Sequence, residues 1–404
     1  MTHPIAITNA RILTLAQGSS PRHGEEMNEL AAINTGSILI ENGLISQVGE
    51  SIDIPSTASI IDAQGKVVMP AFVDCHTHAC WAGERLDEWE QKQAGATYLE
   101  ILKASGGIMS TVRAVRQASV EELASSLLDR LIWMLAEGTT ACEIKSGYGL
   151  STADELKMLD AISIAAKSWA GRISPTACIG HAKDSAVDDF VKQTIDETLP
   201  AVHAKYPGIT IDAYTEDGAW SVEETVELFQ AAKALGHPLR IHADQFNSLG
   251  MVKAAIELGA LSVDHLEATN PESLANLAKS RTMGVMLPCS GFHVDGRYAD
   301  GKSFIAADGA LAIATNVNPG SAPCLSMPMS IALAVRNLGI TAAQAITAST
   351  INGAHLLGFD DLGSIAPGKQ ADIVILRHQD ERQLGYTFGG NHIDTVICNG
   401  QIVS

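Results

Sequence analysis

Two histidines one residue apart, His76 and His78, close an apolar run at 67–73. In extended chain, side chains at i and i+2 point the same way, so both imidazoles face one side. A pair of neutral imidazoles presented together grips a single metal ion. An isolated H-x-H pair is a weak signal, but further polar residues stand where other apolar runs stop. His242 follows 239–241, His265 closes 261–265, and His181 follows 173–180. The run at 311–316 ends in Asn316 and leads into Asn318-Pro319-Gly320-Ser321. His76, His78 and His242 would supply three nitrogen ligands and leave room for a water. An ion held there lowers the pKa of its water toward neutrality and polarises a carbonyl. His265 is placed to take a proton and hand it to a leaving nitrogen, the usual work of an imidazole in general acid–base catalysis. The other member expected in such a set is an aspartate at the end of the eighth run, and this chain has Asn316 there.

The elements that must position these residues follow from periodicity. Eight short apolar runs, near 71–76, 139–145, 173–179, 209–214, 239–242, 261–265, 283–288 and 311–316, alternate with stretches of helical period. The clearest helical stretches are 119–137, 152–167, 221–235 and 271–278. Eight such units predict a (β/α)₈ TIM-like barrel, which carries its chemistry at the C-terminal ends of its strands. Both chain ends differ from this pattern. Alternating strands are expected at 5–7, 12–15 and 36–45, with a tight turn at Asn42-Gly43, and again at 371–376 and 394–403. The resulting division is a β-sandwich domain from 1–67 and 357–404 around a barrel at 68–356.

Composition narrows the class. Of 404 residues, 46% are hydrophobic and 18% charged, which is the range of a folded enzyme. With 27 basic and 46 acidic side chains, the net charge is −19. That balance argues against a nucleic-acid or anionic-membrane partner, since nothing would neutralise phosphates. No apolar stretch is long enough to span a bilayer, and the N-terminus has no signal-like pattern. Seven cysteines without C-x-x-C spacing read as reduced thiols of a cytoplasmic protein. Cys75, between the two histidines' strand and the core, reads as a small strand hydrophobe.

Residues 74–78, 82–85, 94–102, 106–108, 110–113, 143–150, 242–245 and 318–321 together resemble the imidazolonepropionases, a family of the amidohydrolase superfamily. The stretches 95–102 and 145–150 are peculiar to that family. The resemblance covers nearly the whole chain. It implies hydrolytic ring opening of a small molecule, 4-imidazolone-5-propanoate, to N-formimino-L-glutamate in histidine degradation. By matching position, His76, His78 and His242 would hold one Zn²⁺ or Fe²⁺/Fe³⁺ per subunit, and Asn316 stands where the family's fourth ligand is aspartate. Arg85 would grip the substrate's propionate, a pairing suited to a guanidinium fork. Tyr148 and His181 would contact the ring. Gln245 occupies a substrate-contacting, catalytic position where the family uses Glu or Gln. Asn318, Gly320 and Ser321 would hold the formimino-glutamate end, and a homodimer is the family's habit. Tyr98 reads as packing, and Glu84, Glu143, Glu216 and Asp244 read as structural or supporting. Lys145 is not expected to be a carbamylated bridge between two metals, because the fourth run contains no lysine. An amide at 316 brings no charge and accepts no proton, so the chain would be an enzyme relying on His265 alone, a disabled form of the family's enzyme, or a paralogue that binds a ligand without turning it over. The segments 182–186 and 214–216, which depart from the family pattern, leave open a paralogue acting on another cyclic amide.

Overall fold

The computed structural model describes residues 3–95 and 106–404. Part of the family stretch 94–102, Tyr98 included, lies outside the described residues. All eight central runs form strands: β6 (Phe72–Asp74), β7 (Thr139–Lys145), β8 (Arg172–Gly180), β9 (Thr210–Thr215), β10 (Leu239–Ala243), β11 (Ser262–His265), β12 (Met283–Met286) and β13 (Leu311–Ile313). They pair in chain order, β6 through β13, and every pair is parallel. Apart from the first residues of β8 and two positions of β9, the strands are buried on both faces, because helices cover the outside and side chains fill the inside. The helices Val120–Ala136 and Val222–Ala234 start where hydroxyl caps stand. Ser119 and Ser221 each accept the N–H three residues on, and Glu122 and Glu224 reach back to the cap N–H, which satisfies the first-turn donors. Among the described residues, no helix is long and apolar enough to cross a membrane.

The eighth run ends earlier than its apolar pattern, at Ile313, and Asn316 lies three residues beyond the strand. The barrel closes through this extension. The Asn316 N–H donates to the His76 carbonyl at 3.1 Å and the His78 N–H to the Val317 carbonyl at 3.0 Å. Thr77 turns the other way, accepting from the Lys145 N–H at 3.0 Å, so 76–78 continue the extended geometry of β6 although they lie past its end. Beneath this seam, Asp74 accepts from the Thr315 hydroxyl at 2.5 Å and from the Thr315 N–H at 3.1 Å. Burial pushes the Asp74 carboxyl up to about 7, against the pull of those bonds. Thr315→Val would remove one donor while keeping the shape. We expect it to cost about 1–3 kcal/mol in urea unfolding, and an unchanged midpoint would show that the seam does not depend on this bond.

The terminal segments form a second, mixed sheet in the order β16-β15-β14-β5-β1-β2-β3, with β4 on β1. Its members are β1 (Ile5–Leu13), β2 (Ala32–Glu41), β3 (Leu44–Gly49), β4 (Ser59–Asp62), β5 (Val67–Pro70), β14 (Ile373–Leu376), β15 (Ile393–Cys398) and β16 (Gln401–Ile402). It is one continuous hydrogen-bonded surface with its own apolar cluster, which includes Ile7, Ile12, Ile38, Ile40, Val68 and Ile375. The two strands expected at 5–7 and 12–15 are a single strand. Asn9, at φ 51°, makes a bulge between them, after which β1 changes its parallel partner from β4 to β5. The stretch 394–403 folds as a hairpin across Asn399-Gly400. The chain passes from this sheet to the barrel at Ala71, between β5 and β6.

Candidate active site

At the C-terminal mouth of the barrel, His76, His78 and His242 converge so that one nitrogen of each lies within 4.8 Å of the others. The Nε2 atoms of His78 and His242 are 3.0 Å apart. Two nitrogens each 2.0–2.1 Å from one tetrahedral ion would stand about 3.3 Å apart. The outer nitrogens of two of the three are committed, while His78 Nδ1 is buried without a partner. His76 Nδ1 meets Asp264 Oδ2 at 2.6 Å, and His242 Nδ1 meets Asp212 Oδ1 at 3.0 Å. A carboxylate accepts only, so each Nδ1 carries the proton and each Nε2 presents a lone pair inward. Burial holds His76 and His78 well below the usual imidazole range, and lowers His242 against the pull of Asp212, so all three are neutral. His76 Nε2 and Asn316 Oδ1 are buried acceptors with no partner in the protein. Converging ring nitrogens and orphaned buried acceptors fit a single cation.

Under the cluster lies a layer of buried charge. Lys145 Nζ donates to Asp212 at 2.5 Å and pairs with Glu143 at 2.8 Å. Arg240 contacts Asp264 at 2.6 Å, Glu143 at 2.7 Å and the Ser262 hydroxyl at 2.9 Å. Burial pulls Lys145 down, but Asp212 and Glu143 outweigh it and hold it above its ordinary value. It is therefore an ammonium ion locked between carboxylates. Cys178, Asp212 and His242 form another cluster of ligand type. There the Lys145 ammonium already neutralises Asp212, and burial holds the Cys178 thiol well above its ordinary value.

Around this centre stand the other residues singled out by sequence. His181 stacks on His78 with ring centroids 4.6 Å apart, and its Nδ1 donates to the Gly147 carbonyl at 2.9 Å. Burial and neighbouring His242 bring His181 down to about 3, so it is neutral and its Nε2 accepts a hydrogen bond. Tyr148, 5% exposed, packs between His78 and His181. Gln245 accepts from the Tyr214 hydroxyl at 2.9 Å and donates to Ser290 at 3.3 Å. His265 Nδ1 meets Glu267 Oε1 at 3.1 Å, with its ring centroid 5.6 Å from that of His242. Arg85 pairs with Glu88 through Nε at 2.8 Å and lies against Gly320, where a Cβ would collide with Arg85 Nη1. The N–H groups of Gly320 and Ser321 both donate to Asn318 Oδ1, which closes the 318–321 turn on itself.

Residues 67–403 match the amidohydrolase family model. The chain is 44% identical to an imidazolonepropionase of Herpetosiphon aurantiacus, over 98% of this chain and 96% of that protein. It is 40% identical to one of Deinococcus radiodurans, covering 94% and 95%. The chain belongs to the imidazolonepropionase family. Among solved structures, a triazine hydrolase variant matches with TM-score 0.78 at 18% identity, covering 99% of this chain and 94% of that one. Escherichia coli guanine deaminase matches with TM-score 0.74 at 16% identity, covering 100% and 99%. These two establish the fold.

Several groups that build the site were not apparent from sequence. Glu155 accepts the N–H groups of Gly147, Gly149 and Leu150 at 2.7–2.9 Å, and so sets the loop that carries Tyr148. Asp212 and Asp264 orient His242 and His76, and Arg240 holds Asp264; Arg240 shares its strand with His242 and Asp264 with His265, whereas the strand of Asp212 carries no histidine. Glu143 joins that layer, and Glu216 and Asp244 pin loops, as read from sequence. Cys75 packs with Met283, Val285 and Ala312. Gly320→Ala would push Arg85 aside while leaving the histidines untouched. We expect KM for a carboxylate-bearing substrate to rise about tenfold with kcat little changed, as for a lost ground-state contact. Steady-state kinetics would show it, and an equal fall in kcat would place Arg85 in the chemistry instead.

Proposed function

We propose that this protein opens the ring of 4-imidazolone-5-propanoate, in histidine degradation, to give N-formimino-L-glutamate. Water adds to the ring carbonyl carbon, the bond from that carbon to the ring nitrogen breaks, and the nitrogen leaves with a proton. The observation that carries this reading is the set of three neutral imidazoles whose ring nitrogens converge at 76, 78 and 242, in a member of this family. One Zn²⁺ or Fe²⁺/Fe³⁺ ion per subunit fits those nitrogens and the Asn316 oxygen, since histidine suits either metal. When bound, the ion supplies an acidified water and a Lewis acid for the carbonyl.

The protein's own groups do the rest. Arg85 exchanges Glu88 for the substrate's propionate, which fixes one end of the ring. Tyr148 and the acceptor Nε2 of His181 hold the ring, and Gln245, clamped by Tyr214 and Ser290, keeps its amide turned to the substrate. Asn318, Gly320 and Ser321 form the turn beside Arg85 that receives the formimino-glutamate end. His265 takes a proton from the attacking water and returns it to the ring nitrogen. The reading includes a homodimer and a cytoplasmic location, the latter in keeping with the net charge of −19 and the free cysteines.

Asn316 also favours a second reading, a protein that binds this ligand and does not turn it over. Turnover of imidazolonepropionate by this chain and by Asn316→Asp, with metal content measured on both, separates the two. Activity in either form supports the hydrolase. No activity in either, at full metal, overturns it, and affinity without turnover in both identifies the binding protein.

A further inference from the structure

We infer that Glu267 is a positioning residue for the ring-opening reaction, holding His265 with Nε2 toward the substrate. This rests on the ring-opening reading above. The His265 and Glu267 side chains are 3% and 4% exposed, and the carboxylate meets Nδ1 at 3.1 Å. A carboxylate accepts only, so Nδ1 keeps its proton and Nε2 is the atom that exchanges one. An imidazole held in the opposite tautomer would present N–H to the incoming water and could not take its proton.

The backbone is arranged for this contact. His265 and Leu266 have φ of 88° and 73°, two successive non-glycine residues in the left-handed region. Each such residue costs on the order of 1–3 kcal/mol and persists where its surroundings impose it. The turn is tied to the end of β10, with Leu266 N–H on the Ala243 carbonyl at 3.2 Å and Ala268 N–H on that of Asp244 at 2.7 Å. That folds residue 267 back over the ring of 265, beside the strand that carries His242.

The partners of the nearby acids set Glu267 apart. Glu155 is satisfied by three backbone N–H groups, and Glu216 by three N–H groups and an Asn247 amide. These carboxylates hold loops. Glu267 contacts His265 through Oε1, while its Oε2 is buried with no partner. A buried carboxylate oxygen without a donor is unfavourable, so Glu267 is a poor choice for holding a loop and a good one for orienting an imidazole. With an amide at 316, His265 and Glu267 form the acid–base pair beside the three-histidine cluster.

The test uses the zinc-loaded protein, in the parent or the Asn316→Asp background, whichever turns over. Glu267→Gln keeps the shape but can donate to Nδ1, so it should lower kcat roughly 10- to 1,000-fold, with KM within about threefold. On a His265→Gln background the same change should add less than about twofold, because Glu267 acts through that ring. In ¹⁵N-histidine spectra, the parent should show His265 protonated at Nδ1, and Glu267→Gln should shift it toward Nε2. An equal loss in both backgrounds, or an unchanged tautomer with unchanged kcat, overturns the inference. If neither background turns over, the ring-opening reading fails, and the tautomer measurement still decides where Glu267 holds the ring.

Discussion

Asn316→Asp raises kcat for imidazolonepropionate by about 10²–10⁴, the usual worth of a proton acceptor at a hydrolytic centre. The position is already built to receive it. The backbone N–H of Asn316 is fixed to the His76 carbonyl, φ is 55°, and Oδ1 is buried without a partner. Asparagine and aspartate share their shape and both tolerate the left-handed region, so the exchange adds charge and proton affinity without moving the chain. Its effect on stability should change sign with the metal. Without a cation, a new carboxylate joins a buried layer that already holds Glu143, Asp212 and Asp264, and the metal-free variant should melt below the metal-free parent. With a cation in place the charge is compensated, and tighter binding should raise the melting temperature above that of the loaded parent. Calorimetry with and without chelator reads this crossing, and stopped assays read kcat. Equal kcat at full metal in both forms would show that residue 316 handles no proton.

Lys145→Met should destabilise the metal-free protein by about 3–5 kcal/mol, as expected when one partner is removed from a fully buried ion pair. Lys145, Glu143 and Asp212 are all 0% exposed. Arg240 would still cover Glu143 and Asp264. Asp212 would keep only its bond to neutral His242, so a bare carboxylate would remain in the interior. A divalent ion held by His242 would restore part of the lost positive charge, so the deficit should shrink on zinc loading. Urea titrations of both forms measure it, and a loss under about 1 kcal/mol without metal would mean that water enters to solvate Asp212.

The strands and the three converging histidines were readable because the chain declares them locally. Apolar runs recur at βα spacing, Ser119 and Ser221 announce their helices, and each histidine stands where an apolar run stops. The charged layer beneath was harder to read. Barrel strands are buried on both faces, so sequence does not distinguish the inward positions of Lys145, Asp212 and Arg240 from those facing the helices. Glu267 reaches its target through a backbone turn, and Glu155 acts from the first turn of the helix Thr152–Ser168 on the loop before it. The turn at 265–266 uses non-glycine residues with positive φ, which composition does not mark. The single strand β1 was divided by a bulge at Asn9 for the same reason. At Gly320 the demand is for space, and it appears only once Arg85 is seen lying against it.

The seam between β6 and the segment after β13 also governs when the site comes into being. His76 and His78 are joined to Asn316 and Val317 by the very hydrogen bonds that shut the barrel, and these partners lie more than half the chain apart. A ribosome must therefore deliver the eighth strand before the histidines of the first are held in place. Loading with metal then marks a finished barrel, and a nascent or truncated chain lacking residues beyond 310 should leave the ion to its competitors in the cell.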